Sequence, residues 1–193
     1  MVKILFSRLL WPLARVTRTL GGKLMALWSF ARLGESLGKP LHGSNVILGP
    51  VAVEGTANIH IGRNARIYPG VLLETQGAGR IVLGDNVVLS RGVHIVAFDS
   101  VTLGDHCMVG EYASLRDADH QKSHLSMRDS GHVCAPIALD RNVWVGRGAC
   151  ILKGVQIGAN CIIGANAVVT RDVASSFCAV GVPARARALS FPA

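Results

Sequence analysis

The sequence predicts an all-β fold in which short parallel strands wind into a three-sided coil, preceded by an amphipathic helical segment. Two observations carry this prediction. Half of the 193 residues are hydrophobic but only 5% are aromatic, and 22 are glycine. Branched aliphatic residues also recur every six residues, an interval that fits neither a 3.6-residue helical turn nor the two-residue alternation of a single strand: Leu139, Val145, Ile151, Ile157, Ile163 and Val169.

The first forty residues follow a different pattern. Apolar residues recur there at intervals of three and four, from Val2 to Leu20 and again from Leu24 to Ala31, with Gly21-Gly22 between the two runs. This spacing predicts one or two short amphipathic helices. Charged residues and Pro12 interrupt the apolar runs, so we expect neither a membrane-spanning helix nor a secretory signal peptide.

Positive charge is concentrated in the same segment. The formal net charge is +8, and residues 1–40 carry seven Lys and Arg residues against Glu35 alone. Two interpretations remain open: the helices pack on the domain or a neighbouring subunit, or a basic face and tryptophans rest on an anionic membrane surface. No nucleic-acid-binding motif accompanies the charge, so a nucleic-acid partner is not expected.

From residue 46 onward, aliphatic–glycine pairs mark the repeat, as in Leu103-Gly104, Val145-Gly146 and Ile163-Gly164. Each six-residue unit predicts one short strand and one corner, where glycine is expected to relieve the backbone. Three units make an 18-residue turn, and successive turns stack about 4.8 Å apart. Leu139 should then lie below Ile157, Val145 below Ile163 and Ile151 below Val169. Extra residues between Leu83 and Leu103 and at 76–80 should bulge out as loops.

The cysteines and the segment boundaries complete the outline. Five cysteines show no metal-ligand spacing and cannot all pair within the chain, and we interpret Cys107 and Cys161 as small core residues in a reducing compartment. We divide the chain into a helical segment at 1–45, a β-helix domain at 46–189 with an excursion at 116–136, and a tail at 190–193.

The segment NVWVGRGACILKGVQIGANCIIGANAVVTRDV and the later GVPAR resemble the C-terminal coils of the hexapeptide-repeat acyltransferases. The subgroup with the greatest likeness contains galactoside, maltose and polysaccharide O-acetyltransferases. The resemblance implies a left-handed parallel β-helix, a homotrimer, and acyl transfer from acetyl-CoA without a resident metal. The left hand comes from the family, because crossovers between parallel strands are usually right-handed.

The excursion RDADHQKSHLSMRDSGHVCAP interrupts the repeat and holds three histidines. By resemblance, His120 is the catalytic base, reached in the cleft between two subunits, and it would deprotonate an acceptor hydroxyl and then protonate the leaving thiolate. We interpret His124 and His132 as surface or substrate-loop residues. Three carboxylates are candidates to orient the imidazole, of which Asp119 is the best: Asp117, Asp119 and Glu111.

The resemblance also assigns the donor site. Coenzyme A would contact residues of the C-terminal coils, and a further basic residue, Arg187, falls one position early. Trp144 would either flank the thioester channel or pack at a corner. Where the sugar acetyltransferases carry an acceptor-binding asparagine, this chain has Ser90 and Gly92, so we expect its acceptor to be bound differently. The positions matching the coenzyme A site are Arg147, Ala165, Thr170, Arg171 and Arg185.

The sequence therefore predicts an acetyl-CoA-dependent O-acetyltransferase that acts on a sugar hydroxyl, with a bacterial surface polysaccharide or its precursor as acceptor. We expect it in the cytoplasm, including the inner face of the membrane. Two alternatives remain. One is a zinc enzyme resembling the gamma-type carbonic anhydrases, with His94, His120 and His124 as nominal ligands. The other is a non-catalytic β-helix scaffold.

Overall fold

The computed structural model describes residues 2–122, 126–127 and 129–189. This part of the chain contains one helix, α1 (Val2–Ser36), followed by strands alone. In chain order the strands are β1 (Val46–Ile47), β2 (Val51–Gly55), β3 (Ile59–Ile61), β4 (Arg66–Ile67), β5 (Val71–Thr75), β6 (Arg80–Leu83), β7 (Val88–Leu89), β8 (His94–Ala97), β9 (Ser100–Leu103), β10 (Met108–Val109), β11 (Ser114–Arg116), β12 (Ala118–His120), β13 (His132–Cys134), β14 (Ile137–Leu139), β15 (Trp144–Val145), β16 (Cys150–Leu152), β17 (Gln156–Ile157), β18 (Ile162–Ile163), β19 (Val168–Val169), β20 (Phe177–Val180) and β21 (Arg185–Ala188).

The strands form three parallel sheets that are the three faces of a β-helix. Face 1 has the order β1-β4-β7-β10-β15-β18-β20, with β21 added antiparallel at its end. Face 2 has the order β2-β5-β8-β11-β16-β19, and face 3 the order β3-β6-β9-β14-β17. The predicted stacking is confirmed, because Leu139 pairs with Ile157, Val145 with Ile163 and Ile151 with Val169.

The interior of the β-helix is a column of aliphatic ladders. The repeat residues Leu139, Val145, Ile151, Ile157 and Ile163 are each 2% exposed or less. Cys107 and Cys161 are buried among them, as predicted, and each thiol donates to a backbone carbonyl at a corner. Burial raises the pKa of the Cys107 thiol to about 11, so this side chain behaves as a small neutral core residue.

The corner glycines have a different purpose from the one predicted. The glycine that follows each aliphatic residue is needed for close approach: a Cβ on Gly146 would lie 2.7 Å from the Ala165 nitrogen of the next coil. The left-handed conformation occurs two residues later, at Gly148 in this coil and at Asn166 in the next. Asparagine tolerates that conformation better than most side chains do. Backbone relief therefore falls on the second residue of the corner.

Helix α1 is one continuous helix of 35 residues. Of the one or two short helices predicted, the structure has one, which is longer than expected and continues through Gly21-Gly22, because two glycines weaken a helix by only about 1 kcal/mol each and keep their backbone donors. Among its described side chains, Ser29 and Leu33 are buried against the first coils, and Leu37 follows directly after the helix. Packing of the C-terminal third thus fixes the helix to the β-helix.

Candidate functional site

The excursion leaves the coil at the corner between faces 2 and 3 and forms a β-hairpin. Strand β12 pairs antiparallel with β13, which places His120 directly opposite His132. The Gln121 nitrogen donates to the Gly131 carbonyl at 3.0 Å, and the Ala135 nitrogen donates to the Asp117 carbonyl at 2.9 Å. His124, one of the predicted surface histidines, lies outside the described residues.

His120 belongs to a column of stacked rings. Its imidazole lies 4.6 Å from that of His132, centroid to centroid, with the ring planes 36° apart. The His132 ring in turn lies 4.4 Å from the Phe98 ring, and the Arg116 guanidinium carbon lies 5.9 Å from the centre of Phe98. Contacts of this kind stabilise particular ring orientations. His132 is exposed, as predicted for a surface residue, and its ring also contacts that of His120.

Asp117 anchors the base of this column. It is fully buried, and its two carboxylate oxygens accept hydrogen bonds from the Phe98 and Asp99 nitrogens, both at 2.8 Å. Phe98 and Asp99 lie at the corner where the Leu83-to-Leu103 coil carries two residues beyond the regular 18. Asp117 is therefore a structural support for the turn that presents Phe98.

Of the other two candidate carboxylates, Asp119 forms an ion pair and Glu111 lies at a different corner of the β-helix. Asp119 forms an ion pair with Lys153 at 2.8 Å, which ties the hairpin to the adjacent corner of face 2. Glu111 lies at the corner between faces 1 and 2, where its carbonyl accepts a hydrogen bond from Gly148. Asp119 was the preferred candidate to orient the imidazole. Among the described residues, no hydrogen bond joins the His120 imidazole to any of these three carboxylates.

A groove of about 420 Å³ runs along the corner between faces 1 and 2. It collects three residues predicted for the donor site, Trp144, Arg147 and Ala165, together with Glu111 and Ser90. Trp144 is 49% exposed, so it flanks the groove and is not packed into the corner. Three glycines of the repeat, Gly110, Gly146 and Gly164, line the floor of the groove.

Tyr112 is a residue that the sequence reasoning missed. It adopts a left-handed conformation with φ of 58°, where the neighbouring coils have Gly92 and Gly148. A bulky side chain in this conformation is uncommon and tends to occur at functional sites. Its ring covers Gly92, and the Arg147 guanidinium carbon lies 5.8 Å from the ring centre. Comparing equivalent corner positions of the repeat would have identified it.

The remaining predicted donor residues are distributed along the last coils. Thr170 and Arg171 are exposed directly after β19 on face 2. Arg185 and Arg187 are exposed on β21, which is at the end of face 1, the sheet that also carries Trp144. Within one chain, the structure does not bring His120 to the groove, because the hairpin and the groove occupy different corners of the β-helix.

The residues nominated for a zinc site are only partly described. His94 lies on β8, with its imidazole 3.9 Å from the Glu74 carboxylate, while His120 lies on the hairpin and His124 is not described. Across residues 2–122, 126–127 and 129–189, no group of three metal-ligating side chains comes together. On the hairpin strand β13, partial desolvation and the charges of Asp117 and Asp99 raise the pKa of the Cys134 thiol.

Known proteins share both the repeat and the fold. Residues 139–171 match the family model for the bacterial transferase hexapeptide with six repeats. The galactoside O-acetyltransferase of Escherichia coli is 33% identical over 126 residues, which cover 65% of this chain and 61% of that protein. A second relative, from Escherichia coli, has the provisional name lipopolysaccharide biosynthesis O-acetyl transferase WbbJ. It is 27% identical, and the match covers 72% of this chain and 76% of that protein.

A solved structure gives the same picture of the fold. The hexapeptide-repeat acetyltransferase of Vibrio cholerae, in complex with acetyl coenzyme A, superposes with a TM-score of 0.56 at 21% identity, covering 84% of this chain and 86% of that chain. The stacked six-residue coils of this structure agree with the matched repeat and with the relatives in pointing to the same fold. Residues 139–171 therefore carry the bacterial transferase hexapeptide repeat, and the chain is similar in sequence to these acetyltransferases.

Proposed function

We propose that this protein is an O-acetyltransferase that moves an acetyl group from acetyl-CoA to a hydroxyl of a sugar, in a bacterial surface polysaccharide or its precursor. The observation that carries the proposal is the braced imidazole of His120, held on a hairpin by His132 and Phe98. Support for the acetyl donor and the glycan acceptor comes from the names of the two relatives and from the acetyl-CoA complex of the Vibrio protein.

The groove at the corner of faces 1 and 2 suits a coenzyme A thioester. Its glycine floor allows the pantetheine arm to approach the backbone, and Arg147 supplies a positive charge for phosphate. Arg171, Arg185 and Arg187 are exposed on the following coils and add positive charge there. We assign the donor site to these residues with Ala165 and Thr170, as the family resemblance implies.

The proposed reaction is a direct transfer in a ternary complex. His120 takes the proton from the acceptor hydroxyl while the oxygen of that hydroxyl bonds to the thioester carbonyl carbon. The carbon–sulfur bond then breaks, and the imidazolium returns the proton to the departing thiolate. The products are the acetyl ester and free coenzyme A. An imidazole suits both transfers, because it can accept a proton and then donate it.

We propose that the active unit is a homotrimer. The base and the groove lie at different corners of one chain, so a single chain holds the two halves of a site apart. A neighbouring copy that places its hairpin beside the groove would complete the site, as the family resemblance implies. We place the reaction in the cytoplasm, the compartment in which acetyl-CoA is made.

The test is release of free thiol from acetyl-CoA, followed with a thiol reagent across a panel of sugars and glycan precursors. His120→Ala should lower kcat by about 10²–10⁴ without loss of fold, because the side chain is exposed. His60→Ala is the matched control, since His60 is exposed on β3, outside the hairpin. Wild-type turnover by His120→Ala would refute the base, and no turnover by the wild type with any acceptor would favour the scaffold.

A further inference from the structure

Helix α1 presents an apolar surface that the β-helix does not cover. Leu24, Leu27 and Trp28 are 66%, 67% and 65% exposed, although this part of the helix is directly beside the first coils. Leu10 and Leu20, both 57% exposed, extend the same surface toward the N-terminus. At 1.5 Å per residue the helix is about 52 Å long, so this surface is long as well as apolar.

These side chains lie on one face, which we call the outer face: Leu10, Leu20, Leu24, Leu27 and Trp28. At about 100° per residue they fall within an arc of about 100°. Leu33, which is buried on the coils, lies about 170° from the centre of that arc. The centre of the outer face therefore points away from the β-helix, while Trp28 and Leu27 at its edges also line grooves beside the first coils.

Basic residues border the outer face. Lys23 lies about 40° beyond one edge of the arc and Arg32 about 40° beyond the other. Both are exposed, and neither has an acidic partner among the described residues. The sole acidic residue of the helix sequence is Glu35, near its C-terminal end. Long basic side chains at the edges of an apolar stripe can reach lipid phosphates while the stripe enters the bilayer boundary.

We propose that α1 lies in the plane of an anionic membrane surface, with its outer face inserted between the headgroups and the basic residues on lipid phosphates. Within the described residues, no helix is long and apolar enough to cross a bilayer. A second copy of the chain is the less suitable occupant, because packing two outer faces together would bring Lys23 and Arg32 of both copies close without compensating carboxylates. The inference does not depend on the proposed enzymatic activity.

The test uses the full-length protein in co-sedimentation with two kinds of vesicle: phosphatidylcholine alone, and phosphatidylcholine mixed with phosphatidylglycerol. We expect partitioning onto the anionic vesicles to exceed that onto neutral ones by about tenfold or more, and to weaken as salt is raised. The double variant Leu24→Ser with Trp28→Ser should lose about tenfold in binding to anionic vesicles. Lys23→Gln with Arg32→Gln should lose most of the preference for anionic lipid.

Two matched controls separate this surface from general stickiness. Met127→Ser removes an apolar side chain that is 59% exposed in the excursion, and Arg80→Gln removes an exposed charge on β6. Both should bind as the wild type does. Failure of the wild type to bind anionic vesicles would overturn the proposal. If the wild type does not bind vesicles, and Leu24→Ser with Trp28→Ser has a lower oligomer mass by light scattering, another copy of the chain covers the outer face.

Discussion

The regular coils at residues 137–169 and the excursion at 116–136 use side chains in opposite ways. In the coils, each buried aliphatic residue is equivalent to one in the coil above, and the pairs Leu139–Ile157 and Ile151–Val169 follow the six-residue period. In the excursion, His120 and His132 are exposed and held by ring contacts that repeat nowhere else in the described chain.

The difference shows how a repetitive fold acquires a specific site. A regular coil has nowhere to place a unique group, because every inward position is needed for the aliphatic ladder. The excursion supplies the group, and an irregularity in an earlier coil, the turn at Phe98 and Asp99, supplies its support. Stability depends mainly on the interior of the first region, and the proposed base lies in the second, so substitutions at these two places should have separable effects.

The largest effect on stability should come from the coil. Ile151→Ala removes a side chain that is 1% exposed and should lower the free energy of unfolding by about 2–5 kcal/mol, measured by urea denaturation. Val133→Ala is the comparison in the hairpin: Val133 is 46% exposed, and its truncation should cost about 0.5 kcal/mol or less. Equal losses would show that the hairpin is as much a part of the core as the coil.

A pH dependence should arise from the same interior. The pKa of Cys107 rises from 9.0 to about 11 on folding, so the unfolded chain loses this proton first as pH rises. The stabilisation is complete below pH 9 and should be lost between pH 9 and 11, by about 2–3 kcal/mol at most. Urea denaturation of Cys107→Ala should show a shallower decline over that range. An unchanged slope would assign the decline to other groups.

A smaller effect should separate stacking from chemistry in the excursion. His132→Ala should lower kcat by about threefold to tenfold, because an aromatic pair contributes about 0.5–1.5 kcal/mol. The KM for acetyl-CoA should not change, since His132 is not among the residues that line the donor groove. His132→Phe preserves the stack and should restore most of kcat. If Phe is as damaging as Ala, His132 acts through its ring nitrogens and not through its contact.

The smallest effect should come from the ion pair that links the two regions. Lys153→Met and Asp119→Asn each break the 2.8 Å contact, and an exposed pair of this kind contributes about 0.2–1 kcal/mol. We expect kcat within about twofold of wild type for both variants, measured by the thiol-release assay. A fall in kcat for Asp119→Asn alone, comparable with that of His120→Ala, would restore Asp119 as the residue that orients the imidazole.

The architecture was predictable because it depends on local repetition. Each six-residue unit places its own aliphatic residue inside, so the register of Val145 under Ile163 follows from spacing alone. The predicted role of the corner glycines was wrong, because the close approach between coils that requires them cannot be seen within one six-residue unit. A single helix through Gly21-Gly22 was one of the two outcomes left open, but its length of 35 residues exceeds the short helices expected, and packing of Leu33 on the coils stabilises it.

The position of the excursion was predicted from the sequence, but the contacts within it were not predicted. The predicted donor residues Arg147 and Ala165 share one groove because equivalent positions of successive coils are stacked. The column of Arg116, Phe98, His132 and His120 joins residues that are far apart in the chain and follow no period. Asp117 was a candidate to orient the imidazole, but the fold buries it, and its carboxylate holds the turn at Phe98 and Asp99.

The sequence by itself determined the coil, its register and the place where the coil is interrupted, because a six-residue period encodes the same contact many times over. Only the tertiary structure decided which neighbours brace His120, which carboxylates are committed elsewhere, and which face of α1 remains uncovered. Those contacts are each made once, and a contact that occurs once leaves no period to read.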